Sequence, residues 1–185
     1  MTLDYTVRGQ VQITMTDFLD KVLIAFDKVE PKEGGKNKSA APENPFKVDK
    51  DCEKLPHSKT VQFHNLAANN LYATKRSRPD TCTAVAFLTT RFRAPDQDDW
   101  ANMIQMMRYI RGTCMLSLIL SANGSGILKW WVDTLFAVHP NMQGHSSGGF
   151  YLEAGTRRAG VEDLTMILPP WSIKRDRVGS LLMWF

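Results

Sequence analysis

Apolar and polar residues alternate at the start of the chain, with apolar residues at positions 3, 5 and 7 and again at 11, 13 and 15. Arg8-Gly9 between the two runs favours a turn, so the pattern predicts a β-hairpin. The spacing then becomes helical, and we predict a helix from about Asp17 to Lys28 with Thr16 as its N-cap. The predicted buried face of this helix comprises Phe18, Leu19, Val22, Leu23 and Phe26.

The next segment, residues 31–56, follows no clear period. It contains four prolines, the pair Gly34-Gly35 and many charged residues. Such a composition is typical of a linker or a surface loop. This segment is therefore the strongest candidate for an internal boundary.

Three further helices are predicted after this segment. The first runs from Ser58 to about Thr74, and Pro79 and Pro95 are well placed to begin the other two, because proline suits the first turn of a helix. Gly112 is the predicted end of the last helix. Its first turn carries acids that complement the helix dipole, namely Asp96, Asp98 and Asp99, and its predicted buried stripe is Trp100, Ile104, Met107 and Ile110.

Strand patterns return in the last third of the chain. Leucines alternate over residues 116–120, which predicts one strand. A short run from Ile127 to Val132, rich in Trp and β-branched residues, predicts a second strand with Asp133 at its far end. Residues 139–142 favour a turn, and Gly148 to Glu153 predicts the returning strand. The region is a predicted hairpin with a carboxylate at its rim.

Composition limits the class of protein. Of the 185 residues 43 % are apolar, which is enough for a core. No segment approaches the roughly 18 apolar residues of a membrane span, and the N-terminus lacks a signal pattern. We therefore expect an intracellular protein, in the cytoplasm or nucleus, with no membrane partner. The scattered residues Cys52, Cys82 and Cys114 are expected to be thiols. No pattern indicates the oligomeric state.

The formal net charge of +4 permits contact with phosphate backbones but does not demand it. Basic residues concentrate at the predicted joints between helices and on one face of the last helix. One hypothesis is a weak, sequence-independent nucleic-acid-binding surface. The alternative is ordinary solvated charges, some of them paired with Asp80, Asp96, Asp98 and Asp99. The candidate nucleic-acid-binding residues are Lys75, Arg76, Arg78, Arg91, Arg93, Arg108 and Arg111.

Asp133 is the position that looks most like chemistry. A carboxylate at a strand end suits a divalent metal, because Mg²⁺ takes oxygen ligands and often needs few carboxylates beside substrate phosphates. The alternative is a solvated aspartate that ends a strand, since one acid alone is not a metal site.

Several short motifs resemble, in order, parts of the Pol polyprotein of copia-type retrotransposons. The family motifs are, in order, RPD, AV, LSRF, Ser/Thr-Pro, His-Trp and RYLKGT. The segments of this chain that resemble them are, in the same order, Arg78-Pro79-Asp80, Ala84-Val85, Leu88-Thr89-Thr90-Arg91, Ala94-Pro95, Trp100 and Met107-Arg108-Tyr109-Ile110-Arg111-Gly112-Thr113. The segment from Trp130 to Gly149 resembles the opening hairpin of its ribonuclease H domain, and Met1 to Tyr5 resembles a strand just after its polymerase palm. The resemblance covers roughly residues 1–153.

This resemblance implies an α+β fragment in several parts. An N-terminal hairpin and helix (residues 1–30) would end the polymerase-like region. A linker (31–57) would lead to a helical connection (58–113), a region of about four helices. The first strands of a ribonuclease H-like sheet (114–155) would follow, and the sheet would be incomplete. Residues 156–185 are a divergent tail with no family-like pattern.

In the family, the polyprotein synthesises DNA from an RNA template and cleaves the RNA strand of an RNA/DNA hybrid with Mg²⁺ or Mn²⁺. Asp133 would then be the first catalytic acid of the nuclease and a ligand of its metals. The polymerase aspartates and the further nuclease acids have no match here, and Leu135 stands where the family commonly repeats an acid. The resemblance therefore implies a catalytically incomplete fragment that contacts an RNA/DNA hybrid. The alternatives are a non-catalytic nucleic-acid-binding or interaction domain derived from it, and a decayed reading frame.

Overall fold

The structure, a computed structural model, describes residues 1–30, 37–49, 51–121, 128–135 and 145–152, the last two ranges through their backbone only. Within these residues the chain forms four α-helices, one short 3-10 helix, a three-stranded antiparallel sheet and a separate two-stranded sheet. The fold class is therefore α+β, as predicted.

The three-stranded sheet joins the start of the chain to its middle. It consists of β1 (Thr2–Asp4), β2 (Gln10–Thr14) and β3 (Leu118–Ser121), in the order β1-β2-β3. Gly9, with φ 77°, makes the turn before β2, which confirms the predicted hairpin. The prediction was wrong in continuing the first strand to residue 7, because the Asp4 carboxylate accepts a hydrogen bond from the Thr6 N–H at 2.8 Å and turns the backbone.

Helix α1 (Thr16–Asp27) buries the face that the spacing predicted, with Leu19, Val22, Leu23 and Phe26 inside. Thr16 is the first helical residue, so its assignment as N-cap was wrong. Met15 takes that position because it is buried and its carbonyl accepts from the Leu19 N–H at 2.9 Å.

The three predicted helices of the middle region are confirmed. They are α2 (His57–Thr74), α3 (Cys82–Thr90) and α4 (Gln97–Gly112). Pro79 begins a 3-10 helix, Pro79–Thr81, which leads directly into α3. Pro95 precedes the N-cap of α4 and is not part of its first turn, because Asp96 is the residue that caps the helix.

One hydrophobic core is formed by all four helices. Its fully buried members include Phe63 of α2, Val85 of α3 and Met103 and Met107 of α4, and burial of each such side chain contributes about 1.5–3 kcal/mol. Residues 37–49 and 51–56, from the predicted linker, have no helix or strand. They nevertheless supply Ala40 and Leu55 to the same core.

The second hairpin pairs β4 (Leu128–Leu135) with β5 (His145–Leu152) in an antiparallel register that places Asp133 opposite Ser147. The predicted hairpin is thus present. Asp133 lies inside β4 and not at its end, because pairing continues to Leu135, which lies opposite His145. The predicted turn at residues 139–142 and the tail at 156–185 lie outside the described residues.

Candidate nucleic-acid interface

The predicted nucleic-acid-binding residues lie mainly at two junctions between helices. We call residues 75–81, between α2 and α3, the first junction, and residues 91–96, between α3 and α4, the second junction. Helix α3 has nine residues, so at 1.5 Å per residue the junctions are about 13 Å apart along its axis. They therefore form two separate groups of charge.

Arg78 lies at the centre of the first junction, and its side chain is only 1 % exposed. Its guanidinium donates to Asp80 from Nε, at 2.9 and 3.2 Å, and from Nη2, at 2.7 Å. It also donates to the carbonyl oxygen of Thr113 at 3.1 Å and to the Thr113 hydroxyl at 2.7 Å. Arg78 therefore ties the start of α3 to the end of α4 and presents no surface to a phosphate group.

Tyr109 completes this contact from α4. Its hydroxyl donates to Asp80 Oδ2 at 2.8 Å, and its ring lies 5.6 Å from the guanidinium carbon of Arg78. Burial, followed by the hydrogen bond and charge of Asp80, raises the pKa of Tyr109 above its ordinary value, so the hydroxyl keeps its proton and acts as a donor.

Arg91 has a similar role at the second junction but pairs with two carboxylates. Its Nε lies 3.0 and 2.9 Å from the two carboxylate oxygens of Asp99, and its Nη2 lies 2.7 Å from Asp96 Oδ2. The side chain of Arg91 is 20 % exposed, whereas those of the two acids are 2–3 % exposed. Most of its hydrogen-bonding capacity is therefore directed into the protein.

Asp96 and Asp99 also cap α4. The Asp96 side chain accepts from the Asp99 N–H at 3.1 Å, and the Asp99 side chain accepts from the Asp96 N–H at 3.0 Å, which forms a capping box. Burial raises the pKa of Asp99. Burial acts in the same direction on Asp96, but hydrogen bonds from the Asp99 N–H and Lys54, together with the charge of Arg91, outweigh it and lower the pKa of Asp96.

A short segment before α2 is fastened to the same acids. The Lys54 ammonium lies 3.2 Å from Asp96 Oδ2, the Leu55 N–H donates to the Pro95 carbonyl at 2.9 Å, and the Gln97 N–H donates to the Glu53 carbonyl at 3.0 Å. These contacts hold residues 53–55 against the N-terminus of α4. No local sequence pattern indicates this pairing.

The two arginines of α4 are also only partly exposed. Arg111 pairs with Asp27 of α1, and its guanidinium carbon lies 5.7 Å from the Phe26 ring. Arg108 is half-buried. Their spacing of three residues placed both on one face of α4, but that face is not an open basic surface.

Three of the seven predicted residues are exposed, namely Lys75 and Arg76 at the first junction and Arg93 at the second. The Arg76 guanidinium lies over the ring of Tyr72, 3.7 Å from its centroid. Cys82, the first residue of α3, is half-buried, and burial raises its pKa to about 11, so it is a protonated thiol at neutral pH. These three exposed cations are the available contacts for a phosphate backbone.

The predicted metal site is not completed by the described residues. Among them, no group of three or more His, Cys, Asp or Glu side chains is placed to hold a metal ion. Asp133 lies in β4, whose side chains are outside the description. In the same described residues, no helix is long and apolar enough to cross a membrane.

Sequence reasoning missed the residues that hold the junctions together. Thr113 carries no local signal for its contact with Arg78, which is 35 positions away. The capping box was detectable in principle, because Asp96 and Asp99 have the spacing of an N-cap and the third residue of a helix. The prediction treated both acids as general partners of the helix dipole.

No protein-family model matches the chain, and comparisons with curated proteins and with solved structures also give no match. The class that the fold defines is a mixed α+β protein with a four-helix core and a small antiparallel sheet in its described part. Membership of the copia-type family stays a prediction that depends on the sequence motifs.

Proposed function

We propose that the chain is a piece of a copia-type retrotransposon Pol polyprotein whose described helices form a connection that holds nucleic acid. In the full-length family the activity is RNA-directed DNA synthesis with cleavage of hybrid RNA. The proposed role of this fragment is to bind nucleic acid through contacts between its exposed cations and the backbone phosphates.

The observation that supports this proposal is the role of the motif residues in the fold. Arg78, Asp80, Arg91, Tyr109 and Thr113 all belong to the motifs that carry the resemblance, and all of them take part in contacts that hold the helix junctions. Residues scattered over 36 positions are thus joined in two contact networks. A helical connection needs such networks, because its helices must keep fixed positions beside a long charged ligand.

The exposed cations supply the electrostatic part of the proposal. Lys75, Arg76 and Arg93 are exposed at the two junctions on either side of α3, where each can contact a backbone phosphate. Contacts of this kind do not depend on base sequence. Their strength falls steeply with salt, because binding releases counterions from the nucleic acid.

The metal chemistry of the family is not part of this proposal. The proposed catalytic acid and metal ligand, Asp133, would need further acids to hold Mg²⁺ or Mn²⁺, and the further nuclease acids of the family have no match in this sequence. We derive no catalytic step from it. Cleavage of a hybrid that requires Mg²⁺ and is abolished by Asp133→Asn would instead favour a surviving nuclease.

The test is binding of an RNA/DNA hybrid to the full chain as salt is varied. Replacing Lys75, Arg76 and Arg93 together by Ala is expected to reduce the slope of log affinity against log salt by about 3, one unit for each lost phosphate contact. Fluorescence anisotropy of a labelled hybrid measures both affinity and slope.

The matched control removes the same charge elsewhere, by replacing the exposed residues Lys28, Lys38 and Lys47 by Ala. This variant is expected to keep most of the slope. Equal losses in the two triple variants would mean that only net charge matters, and no binding by the natural chain at low salt would overturn the proposed function.

A further inference from the structure

Three planar side chains, one each from α1, α2 and the first junction, contact one another in a row on the surface, and we call this row the stack. The rings of Phe18 (α1) and Tyr72 (α2) lie 5.1 Å apart between centroids at an angle of 47°, and the Arg76 guanidinium lies over the same Tyr72 ring. We infer that this stack is a platform on which an unpaired base of a single-stranded nucleic acid stacks. The inference rests on the proposed function and specifies the ligand as single-stranded.

The stack is held in place before any ligand arrives. Arg76 Nη1 donates to the Tyr72 carbonyl at 3.3 Å, which holds the guanidinium beside the ring, and Phe18 is partly buried against the core. Tyr72 is 44 % exposed although it is a large aromatic residue. A platform fixed in this way loses little conformational freedom when a base stacks on it.

The charge around the platform suits a nucleic acid strand. Helix α2 has no Asp or Glu in its 18 residues, and Lys75 is exposed directly beside Arg76. On the α1 side, Asp17 and Asp20 are exposed and repel phosphate. We therefore expect the phosphates of the strand to lie toward Lys75 and the base to stack on the outer face of the Arg76 guanidinium, because the guanidinium already lies over the Tyr72 ring.

Stacking selects single strands because the bases of a duplex already stack on one another. Unpaired bases stack on aromatic rings and on arginine guanidinium planes, and this contact tolerates any base. A lysine in place of Arg76 would keep the charge but would lack the planar group. The platform thus requires a planar guanidinium at position 76, whereas simple phosphate contact requires only a positive charge there.

The experiment compares two fluorescein-labelled DNA oligonucleotides of about 12 nucleotides, one of dA and one abasic, bound to the full chain at roughly 50 mM salt. Natural protein is expected to bind the dA strand more tightly than the abasic strand. Tyr72→Ala and Arg76→Lys are each expected to weaken dA binding by about 5- to 100-fold, and Tyr72→Phe is expected to leave it unchanged.

Val61→Ala is the matched control, because Val61 is also an exposed apolar residue of α2, at 45 %. It is expected to bind like the natural protein. Equal affinity for the dA and abasic strands, or full dA binding by Tyr72→Ala, would overturn the platform. The proposed function would still stand if the variant with Lys75, Arg76 and Arg93 replaced by Ala lost hybrid binding. Failure of the natural chain to bind either strand or the hybrid would overturn both.

Discussion

The two helix junctions each contain one arginine turned into the protein and one exposed arginine close to it in sequence. Arg78 and Arg76 form this pair at the first junction, and Arg91 and Arg93 form it at the second. The junctions differ in their acids. Arg78 is matched by a single carboxylate, Asp80, whose side chain is 25 % exposed, whereas Arg91 is matched by two carboxylates that are 2 and 3 % exposed.

This difference predicts how strongly the stability of each junction depends on its buried arginine. A buried charge is stable only when partners replace its water, and removal of one partner leaves the other uncompensated. Without Arg78, water reaches the remaining Asp80. Without Arg91, two carboxylates stay buried and close together, since the exposed Lys54 is then the one cation left in the contacts described above. The second junction should therefore be the more sensitive of the two.

The largest effect is expected from Arg91→Ala, which should lower the free energy of unfolding by about 3–5 kcal/mol. The cause is the pair of buried acids, Asp96 and Asp99, that the substitution leaves behind. Urea denaturation followed by far-ultraviolet circular dichroism measures the change. The exposed neighbour provides the control, because Arg93→Ala should stay within about 0.5 kcal/mol of the natural chain.

The pH dependence of this variant provides a second check. The pKa of Asp96 is lowered in the folded protein, so its stabilising contribution is present above the ordinary pKa and is lost as pH falls through the lowered value. The pKa of Asp99 is raised, so its protonation stabilises the fold below the ordinary pKa, and this stabilisation is lost as pH rises through the raised value. Below both pKa values the acids are neutral, and the cost of Arg91→Ala should shrink. A cost that stays constant into acid would contradict the ionic explanation.

The next effect is Arg78→Ala, for which we expect a loss of about 2–4 kcal/mol. The variant loses the hydrogen bonds to Thr113 and the packing of a buried side chain, but leaves an acid that water can solvate. The same urea measurement applies, with Arg76→Ala as the control within about 0.5 kcal/mol. A loss at Arg78 larger than that at Arg91 would reverse the proposed order of the two junctions.

The contrast between the junctions also shows what the sequence allowed us to predict. Helices and strands were found because the spacing of apolar residues reports which faces are buried. The sequence analysis allowed for ion pairs with Asp80, Asp96 and Asp99, which Arg78 and Arg91 form, but it did not show which arginines would form them, because neighbouring arginines have the same local signal. Their directions depend on partners that folding brings close, such as Thr113 of α4, 35 positions from Arg78.

The candidate nucleic-acid interface was also predicted only in part, because exposure depends on partners that folding brings close. Seven basic residues were proposed as nucleic-acid contacts, and the structure leaves Lys75, Arg76 and Arg93 exposed. The stack of Phe18 and Tyr72 was not predicted, since it joins residues 54 positions apart from two helices. Phe18 was predicted to lie on the buried face of α1 and is partly buried against the core, but its position in the helix does not show which residue contacts it.

The smallest effect is expected from Lys54→Ala, and it tests whether the outer cation matters to the second junction. Lys54 lies 3.2 Å from Asp96 Oδ2, but its side chain is 54 % exposed, so water and salt screen the pair. We expect a loss of about 0.5 kcal/mol by urea denaturation, less at high salt. The backbone bonds of Leu55 and Gln97 remain in this variant, so the segment stays attached. A loss comparable to that of Arg91→Ala would mean that both cations are needed to keep the two acids buried, and that the junction acts as one four-charge unit.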